Sequence, residues 1–232
     1  MKIINHLKSD WFRYGFETLA VVVGILVAFA LDNWNETRLT EKQINIYTEK
    51  LINDLLTDTL NINTLIVTSR TMQADIEHYF SYFDSDDIPL QNLLDSSKNV
   101  QPGFFRYFPI NYTLIDMQSS GKIELLNEDL RKSLIELSNA QEFLTIIIEK
   151  TIDDIKMQQN EMRKYFDSDL SESDFFERIS WPQEDQLKRQ GLLHRHSELT
   201  QFHRLAYYME TRGKGIIDQT NHCLELLNNK HD

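Results

Sequence analysis

Four side chains with metal-binding groups lie close together near the C-terminus: His194, His196, Glu198 and His203. His194 and Glu198 are four residues apart, and His196 and His203 are seven apart, so each pair would share one face of a helix. The two pairs lie on different sides of that helix, whereas a transition metal requires three or four converging ligands. We therefore expect no metal and no other cofactor, and interpret these side chains as exposed or packed polar groups.

Other carboxylates also lack the arrangement that catalysis or calcium binding requires. Asp153 and Asp154 are adjacent, and adjacent residues on a helix point in different directions. Residues 167–174 (DSDLSESD) could offer oxygens to Ca²⁺, but they lack the central glycine and the terminal glutamate of an EF-hand loop. The sequence contains no P-loop, HExxH or GxSxG motif, so it predicts a protein that is not an enzyme.

One carboxylate, Glu17, lies at the edge of an apolar segment, because Thr18 to Leu31 are fourteen uncharged residues. At about 1.5 Å per residue, Glu17 would lie roughly 10 Å from the middle of the segment at Gly24, inside a hydrocarbon core about 30 Å thick. A charge at that depth is unfavourable unless it reaches the headgroups, is protonated or has a partner such as Arg13, four residues earlier. Glu17 is therefore either a side chain that reaches the membrane surface or an intramembrane ion-binding group.

Residues 14–34 predict a single transmembrane helix. The thirteen residues from Leu19 to Leu31 have no polar face. The flanking aromatic residues bring the segment to the roughly 20 residues that span a bilayer. Trp11 and Tyr14 at one end and Trp34 at the other occupy the positions of interfacial anchors.

Two other interpretations of this segment are open from the sequence. A buried core helix can be equally apolar, although the helices downstream each have a polar face. A cleaved signal peptide is the second alternative, because Ala28-Phe29-Ala30 fits the small-x-small pattern that precedes cleavage. The long aromatic leading region and Glu17 favour an uncleaved anchor over cleavage after Ala30.

The charges beside the segment predict its orientation. Lys2, Lys8 and Arg13 precede it against Asp10 alone, whereas charges of both signs follow it. By the positive-inside rule, the N-terminus is cytoplasmic. We therefore predict a cytoplasmic segment at residues 1–13, an inner-membrane helix at residues 14–34 and a periplasmic or extracellular domain at residues 35–232.

Small residues repeat along one face of the segment, because Ala20, Gly24 and Ala28 are spaced by four. This spacing lets two helix backbones approach closely. It predicts a homo-oligomer that packs through this face, although a plain lipid-facing helix fits the same residues.

Composition limits the remaining partners. The chain has 24 Lys+Arg and 36 Asp+Glu among 232 residues, for a formal net charge of -12. This balance excludes a dedicated nucleic-acid binder, because phosphate contacts need clustered basic side chains. The single cysteine, Cys223, excludes an intrachain disulfide. We expect the lipid bilayer, a second copy of the chain and an unknown protein as partners.

Apolar residues recur at three- and four-residue steps over three long stretches downstream, which begin near Ile44, Leu130 and Leu199. We predict an all-α fold, in which the transmembrane helix continues into an antiparallel bundle of three or four long helices. No stretch has the alternating pattern of a β-strand.

Local signals predict where some helices begin and end. Asn111 and Asn127 are expected to cap the helices that follow them. The last helix is expected from about Ser197 to Leu227, interrupted at Gly213 and Gly215 by either a close helix crossing or a kink.

Residues 102–109 (PGFFRYFP) form a loop bounded by two prolines. Its aromatic side chains either fill the core beneath a loop or form a docking surface for a partner. The docking surface would consist of Phe104, Phe105, Tyr107 and Phe108.

Two blocks of the sequence carry a family pattern. The first is residues 17–36 (ETLAVVVGILVAFALDNWNE), and the second is residues 112–131 (YTLIDMQSSGKIELLNEDLR). Together they resemble a family of uncharacterised bacterial single-pass membrane proteins. That family has Gln and Asn where this chain has Ala30 and Asp32, so polar contacts in that turn are expected to differ. The resemblance implies an uncleaved anchor and brings no known activity.

These features predict a non-enzymatic membrane protein whose extracytoplasmic domain self-assembles and docks a partner. The alternative is an ion-coupled transport, motor or channel component, in which the Glu17 side chains of an oligomer bind protons or cations. Sensing of a small ligand inside the bundle is a third possibility.

Overall fold

The computed structural model describes residues 3–82, 88–165 and 184–229, apart from the side chains of residues 3–14 and 184. The chain divides into two compact units, residues 1–50 and 51–232. The helices in order are α1 (Ile3–Phe80), α2 (Leu90–Asn99), α3 (Tyr112–Ser119), α4 (Glu128–Met162) and α5 (Glu184–Asn228), with a short 3-10 turn at Lys122–Leu125. The described residues contain no β-strand, and the predicted all-α fold is confirmed.

Residues 15–39 of the first unit expose their apolar side chains on every side of α1. Within this region, an 18-residue window has a mean hydropathy of 2.0 and none of it is buried. Phe16 and Phe29 are 73% and 69% exposed. Among the described helices, α1 is long and apolar enough to cross a membrane. The segment is therefore not a core helix of the described chain.

The second unit is a bundle of three long helices: residues 51–80 of α1, α4 and α5. Contacts between α5 and each of the other two helices pair residues in reverse order, so α5 is antiparallel to both. The pairs are Glu77–His203 and Arg70–Glu210 between α1 and α5, and Gln159–Glu198 and Phe143–Arg212 between α4 and α5. Consequently α1 and α4 are parallel to each other.

Core positions of the bundle follow a seven-residue repeat, with alternating steps of four and three residues. The buried residues of α1 at these positions are Leu51, Leu55, Asp58, Ile62, Leu65, Ser69, Met72, Ile76 and Tyr79. Those of α5 are Leu199, Phe202, Ala206, Met209, Gly213, Ile216, Thr220, Cys223 and Leu227. A repeat of about 3.5 residues keeps one face of each helix against its neighbours over the whole length of the bundle.

No break interrupts α5 at Gly213 or Gly215, but the predicted close helix crossing is confirmed at Gly213. Gly213 is buried where α5 crosses α1. A Cβ added there would lie 3.0 Å from Cγ1 of Ile66 and 3.2 Å from Cγ2 of Ile62. Glycine therefore allows the two helices to approach closely at this crossing.

The predicted start of the last helix near Ser197 is wrong, because α5 begins at Glu184. Residues 184–196 (EDQLKRQGLLHRH) are mostly polar. Few apolar residues are available there to reveal the helical period, so the periodicity underestimates the length of the helix.

The segment between α2 and α3 returns the chain along the bundle. The carbonyl of Val100 accepts a hydrogen bond from Arg195 of α5. The next residue of α5, His196, packs against Phe80 at the end of α1, so Val100 lies near that end. Ten residues later, Ile110 bonds to Asp58, which lies 22 residues before Phe80. Along a helix 22 residues rise about 33 Å, and ten residues of extended chain also reach about 33 Å. Residues 100–110 are therefore extended, and this return allows α4 to run parallel to α1.

Candidate functional site

A carboxylate in the core of the second unit, Asp58, joins three parts of the structure. Asp58 is completely buried, and its Oδ2 accepts hydrogen bonds from the Tyr107 hydroxyl and the Gln141 side-chain amide, both at 2.7 Å. Its Oδ1 accepts from the backbone N–H of Ile110 at 3.0 Å. The carboxylate thereby links α1 to α4 and to the extended segment, and it satisfies polar groups that packing removes from water.

The Tyr107 phenol is held as a hydrogen-bond donor. Burial raises its pKa far above the ordinary value, and the charge of Asp58 and the hydrogen bond to it raise the pKa further. The phenol therefore stays protonated at physiological pH. Its contact with Asp58 is structural and leaves no free base at this point.

A second carboxylate of α1, Asp54, caps α3. Asn111 occupies the N-cap position of α3 as predicted, but its side chain makes no capping hydrogen bond. Instead Asp54 accepts from the Thr113 N–H at 2.8 Å, which satisfies one of the N–H groups left open at a helix start. The other predicted cap is confirmed, because Oδ1 of Asn127 accepts from the Leu130 N–H at 2.8 Å.

Sequence reasoning missed this polar network, although a signal for part of it exists. The apolar pattern of α1 skips from Leu55 to Ile62, and that of α4 skips from Leu137 to Leu144. Asp58 and Gln141 occupy the skipped positions, where the seven-residue repeat places a core residue. A polar residue at such a position indicates a buried polar contact between helices.

The predicted docking residues of the extended segment differ in their exposure. Tyr107 is 3% exposed and belongs to the core, whereas Phe108 is 68% exposed. Phe104 is 43% exposed, with its ring centroid 5.2 Å from that of Phe202. Phe105 is half-buried. Core filling thus describes Tyr107, and a docking role for the more exposed rings stays a prediction.

A groove of about 330 Å³ lies between the extended segment and α1. It is lined by Asn61, Thr64, Leu65 and Thr68 of α1 and by Phe105, Arg106, Tyr107 and Phe108 of the segment. Residues 59–69 of α1 carry no charge. The groove therefore offers amide, hydroxyl and aromatic surface, and the guanidinium of Arg106 is the one charged group among its lining residues.

A buried ion pair holds the other end of the bundle together. Nη1 of Arg195 donates to Oε2 of Glu198 at 2.7 Å, and both side chains are almost completely buried. The amide of Gln159 donates to the other Glu198 oxygen at 2.9 Å. Nη2 of Arg195 donates to the carbonyls of Ser97 and Val100 at the end of α2. These bonds connect α2, α4 and α5, and the cation lies where the open carbonyls of a helix end favour it.

The histidines near this ion pair do not converge on one point. His194 stacks on Tyr165 with ring centroids 5.3 Å apart, and Nε2 of His203 lies 3.0 Å from Oε1 of Glu77. Burial lowers the pKa of His196, which favours the neutral ring. In the part of the chain that the structure describes, no three or more candidate ligands form a group that could hold a metal ion.

The small residues and the carboxylate predicted to act within the membrane lie on the exposed part of α1. Glu17, Ala20, Gly24 and Ala28 are all exposed. A Cβ added at Gly24 would meet no atom within 4 Å, so its lack of a side chain serves no contact inside the described chain. The roles of these residues in helix packing and ion binding stay predictions.

The predicted interfacial anchors are described only in part. Trp34 is 63% exposed, and the guanidinium of Arg38 lies 5.7 Å from the centroid of its ring. A cation over an indole is a favourable contact at an exposed site. The side chains of Trp11 and Tyr14 lie outside the described residues.

No curated protein and no solved structure matches this chain. The model of DUF6090, a family of unknown function, matches residues 17–170. This match begins at Glu17, contains the exposed apolar helix, the extended segment and all of α4, and ends before α5. It covers more than half of the chain and both of the sequence blocks that carry the family pattern. The chain therefore belongs to DUF6090, a family of unknown function.

Proposed function

We propose that this chain is a non-enzymatic, single-pass inner-membrane protein. Its N-terminus is cytoplasmic, and its helical domain lies on the other side of the membrane, where it self-assembles and docks a partner. The exposed apolar helix of the first unit carries this proposal. A bilayer removes from water an apolar surface that nothing in the described chain covers.

The second unit supports a scaffolding role rather than catalysis. The carboxylates of Asp58 and Glu198 are engaged by hydrogen bonds that join helices. The Tyr107 phenol is one of those donors. Such groups maintain a bundle that can present a surface, and the groove beside Phe108 is one such surface.

Cysteine labelling tests the orientation. Cys223 is fully buried, and burial raises the pKa of its thiol to about 11, so a membrane-impermeant maleimide should not modify the native chain. In intact spheroplasts, Glu142→Cys on the exposed face of α4 should be labelled, whereas Ser9→Cys should be labelled only after lysis. Labelling of Ser9→Cys before lysis would contradict the orientation. A mature chain that lacks the first thirty or so residues would contradict the uncleaved anchor.

Self-assembly is tested by the face of small residues. Gly24→Leu should convert an oligomer in detergent to a monomer by light scattering, because the added side chain keeps two helix backbones apart. Val22→Leu is the matched control, because two residues along a helix turn to nearly the opposite side. A wild-type monomer, or equal effects of the two variants, would count against assembly through this face.

A further inference from the structure

The extended segment between α2 and α3 has an unpaired backbone. Residues 101–109 make no backbone–backbone hydrogen bond to any residue that the structure describes. Pro102 and Pro109, which have no N–H, bound the run from Gly103 to Phe108. Open N–H and C=O groups along an extended chain form a template on which another extended chain can pair.

The side chains of this run alternate between two faces, as they do in a β-strand. Tyr107 is buried and Phe105 half-buried, whereas the residues between and beside them are exposed. The exposed row consists of Phe104, Arg106 and Phe108. A chain paired beside this run would therefore lay its own alternate side chains against two aromatic rings and a guanidinium.

The charges around the groove select for an acidic occupant. Arg106 is exposed, and it forms no hydrogen bond or ion pair with any described residue. No carboxylate lines the groove, although the whole chain has a net charge of -12. A negative side chain can thus approach Arg106 along the uncharged wall of α1, and the carboxylate of Asp58 lies buried behind Tyr107 rather than in the lining.

We propose that this groove binds an extended acidic segment of a partner protein. The segment pairs with the backbone of residues 103–108, places an Asp or Glu side chain on Arg106 and packs an apolar side chain against Phe108. Backbone pairing sets the register, and the guanidinium selects the carboxylate. The inference rests on the docking role proposed above and names its surface and the chemistry of the partner.

A second copy of the chain fits the same groove less well. In a contact of groove on groove, it would bring another Arg106 and another uncharged face of α1, so neither guanidinium would gain a counter-charge. An acidic peptide provides both a carboxylate for Arg106 and a backbone that can pair with residues 103–108.

The test is a selection of peptides on the full chain in nanodiscs, with a phage-displayed library of random octapeptides as the probe. Enriched sequences should carry Asp or Glu flanked by apolar residues. The leading peptide, made synthetically, should bind Arg106→Ala and Phe108→Ala about tenfold more weakly or worse, and its affinity should fall with added salt. Arg204→Ala should bind as the wild type does, since this exposed arginine of α5 contacts Gln201 by one hydrogen bond of 3.5 Å.

Several outcomes would overturn the proposal. They are an absence of enrichment, enrichment of basic or neutral peptides, and an affinity that Arg106→Ala does not change. A wild-type dimer that Phe108→Ala dissociates would assign the groove to a second copy instead. Binding is measured on the purified chain and does not depend on its orientation in a membrane, so the labelling experiment and this selection can fail independently.

Discussion

Replacing Asp58 should destabilise the second unit far more than replacing an exposed carboxylate. Asp58→Ala leaves the Tyr107 hydroxyl and the Gln141 amide buried without their acceptor, and it also frees the N–H of Ile110. Each unsatisfied buried group costs about 1–3 kcal/mol, so two of them predict a loss of about 4 kcal/mol in the free energy of unfolding. A domain of this kind is stable by only about 5–15 kcal/mol, so the loss is a large fraction of the total.

Two further variants separate the hydrogen bonds from the charge. Asp58→Asn keeps the shape and one acceptor oxygen. The Tyr107 hydroxyl can rotate and the Gln141 amide can flip to suit the new donor, so we expect a loss of only about 1–2 kcal/mol. Asp153→Ala is the control, because Asp153 is 78% exposed and its contact with Lys156 is long at 3.6 Å. Its effect should stay within about 0.5 kcal/mol.

The assay is urea unfolding of the full chain in detergent micelles, followed by far-UV circular dichroism. Hydrogen exchange of the Ile110 and Thr113 amides provides a local readout. Exchange at Ile110 should accelerate in Asp58→Ala, whereas Thr113, which bonds to Asp54, should be less affected. A loss below about 1 kcal/mol in Asp58→Ala, or equal losses in Asp58→Ala and Asp153→Ala, would refute the reasoning.

Three other variants test packing and burial. Gly215→Ala should stabilise the chain by about 0.5–1 kcal/mol, because open space surrounds this mid-helix glycine. Gly213→Leu should destabilise it by about 1–3 kcal/mol or more, because the new side chain meets Ile62 and Ile66; equal effects of the two substitutions in urea unfolding would contradict the close crossing. For Cys223, burial first and the charge of Glu136 second raise the thiol pKa from 9.0 to about 11. As the pH rises, the thiol therefore ionises first in the unfolded chain. The free energy of unfolding should fall between pH 9 and 11 more steeply in the wild type than in Cys223→Ala. Parallel pH profiles of the two proteins would show that the thiol is accessible to water when folded.

The local signals in the sequence were strong enough to predict much of the helical architecture. Apolar periodicity predicts the three long helices, because a helix in a bundle must bury one stripe whatever its neighbours are. The cap at Asn127 and the proline-bounded loop at residues 102–109 are equally local, since a cap or a turn depends on residues a few positions apart. The apolar run from Leu19 to Leu31 is likewise visible without any tertiary information.

The polar contacts of the bundle depended on partners that are distant in sequence. Asp54 replaces Asn111 as the cap of α3 because the extended segment brings Thr113 beside α1, and no local rule predicts that neighbour. The skipped position at Asp58 indicates a polar core residue, yet its donors come from residues 49, 52 and 83 positions away.

The sequence by itself determined that the chain is helical, that its N-terminal segment is apolar and that its loop is aromatic. Only the tertiary structure decided which of those aromatic side chains are exposed and that Arg106 faces an uncharged groove. The physical reason is that the apolar periodicity of a helix indicates only which of its faces is buried. Which side chains that face packs against depends on the path of residues 100–110. That path in turn depends on the lengths and directions of all three long helices.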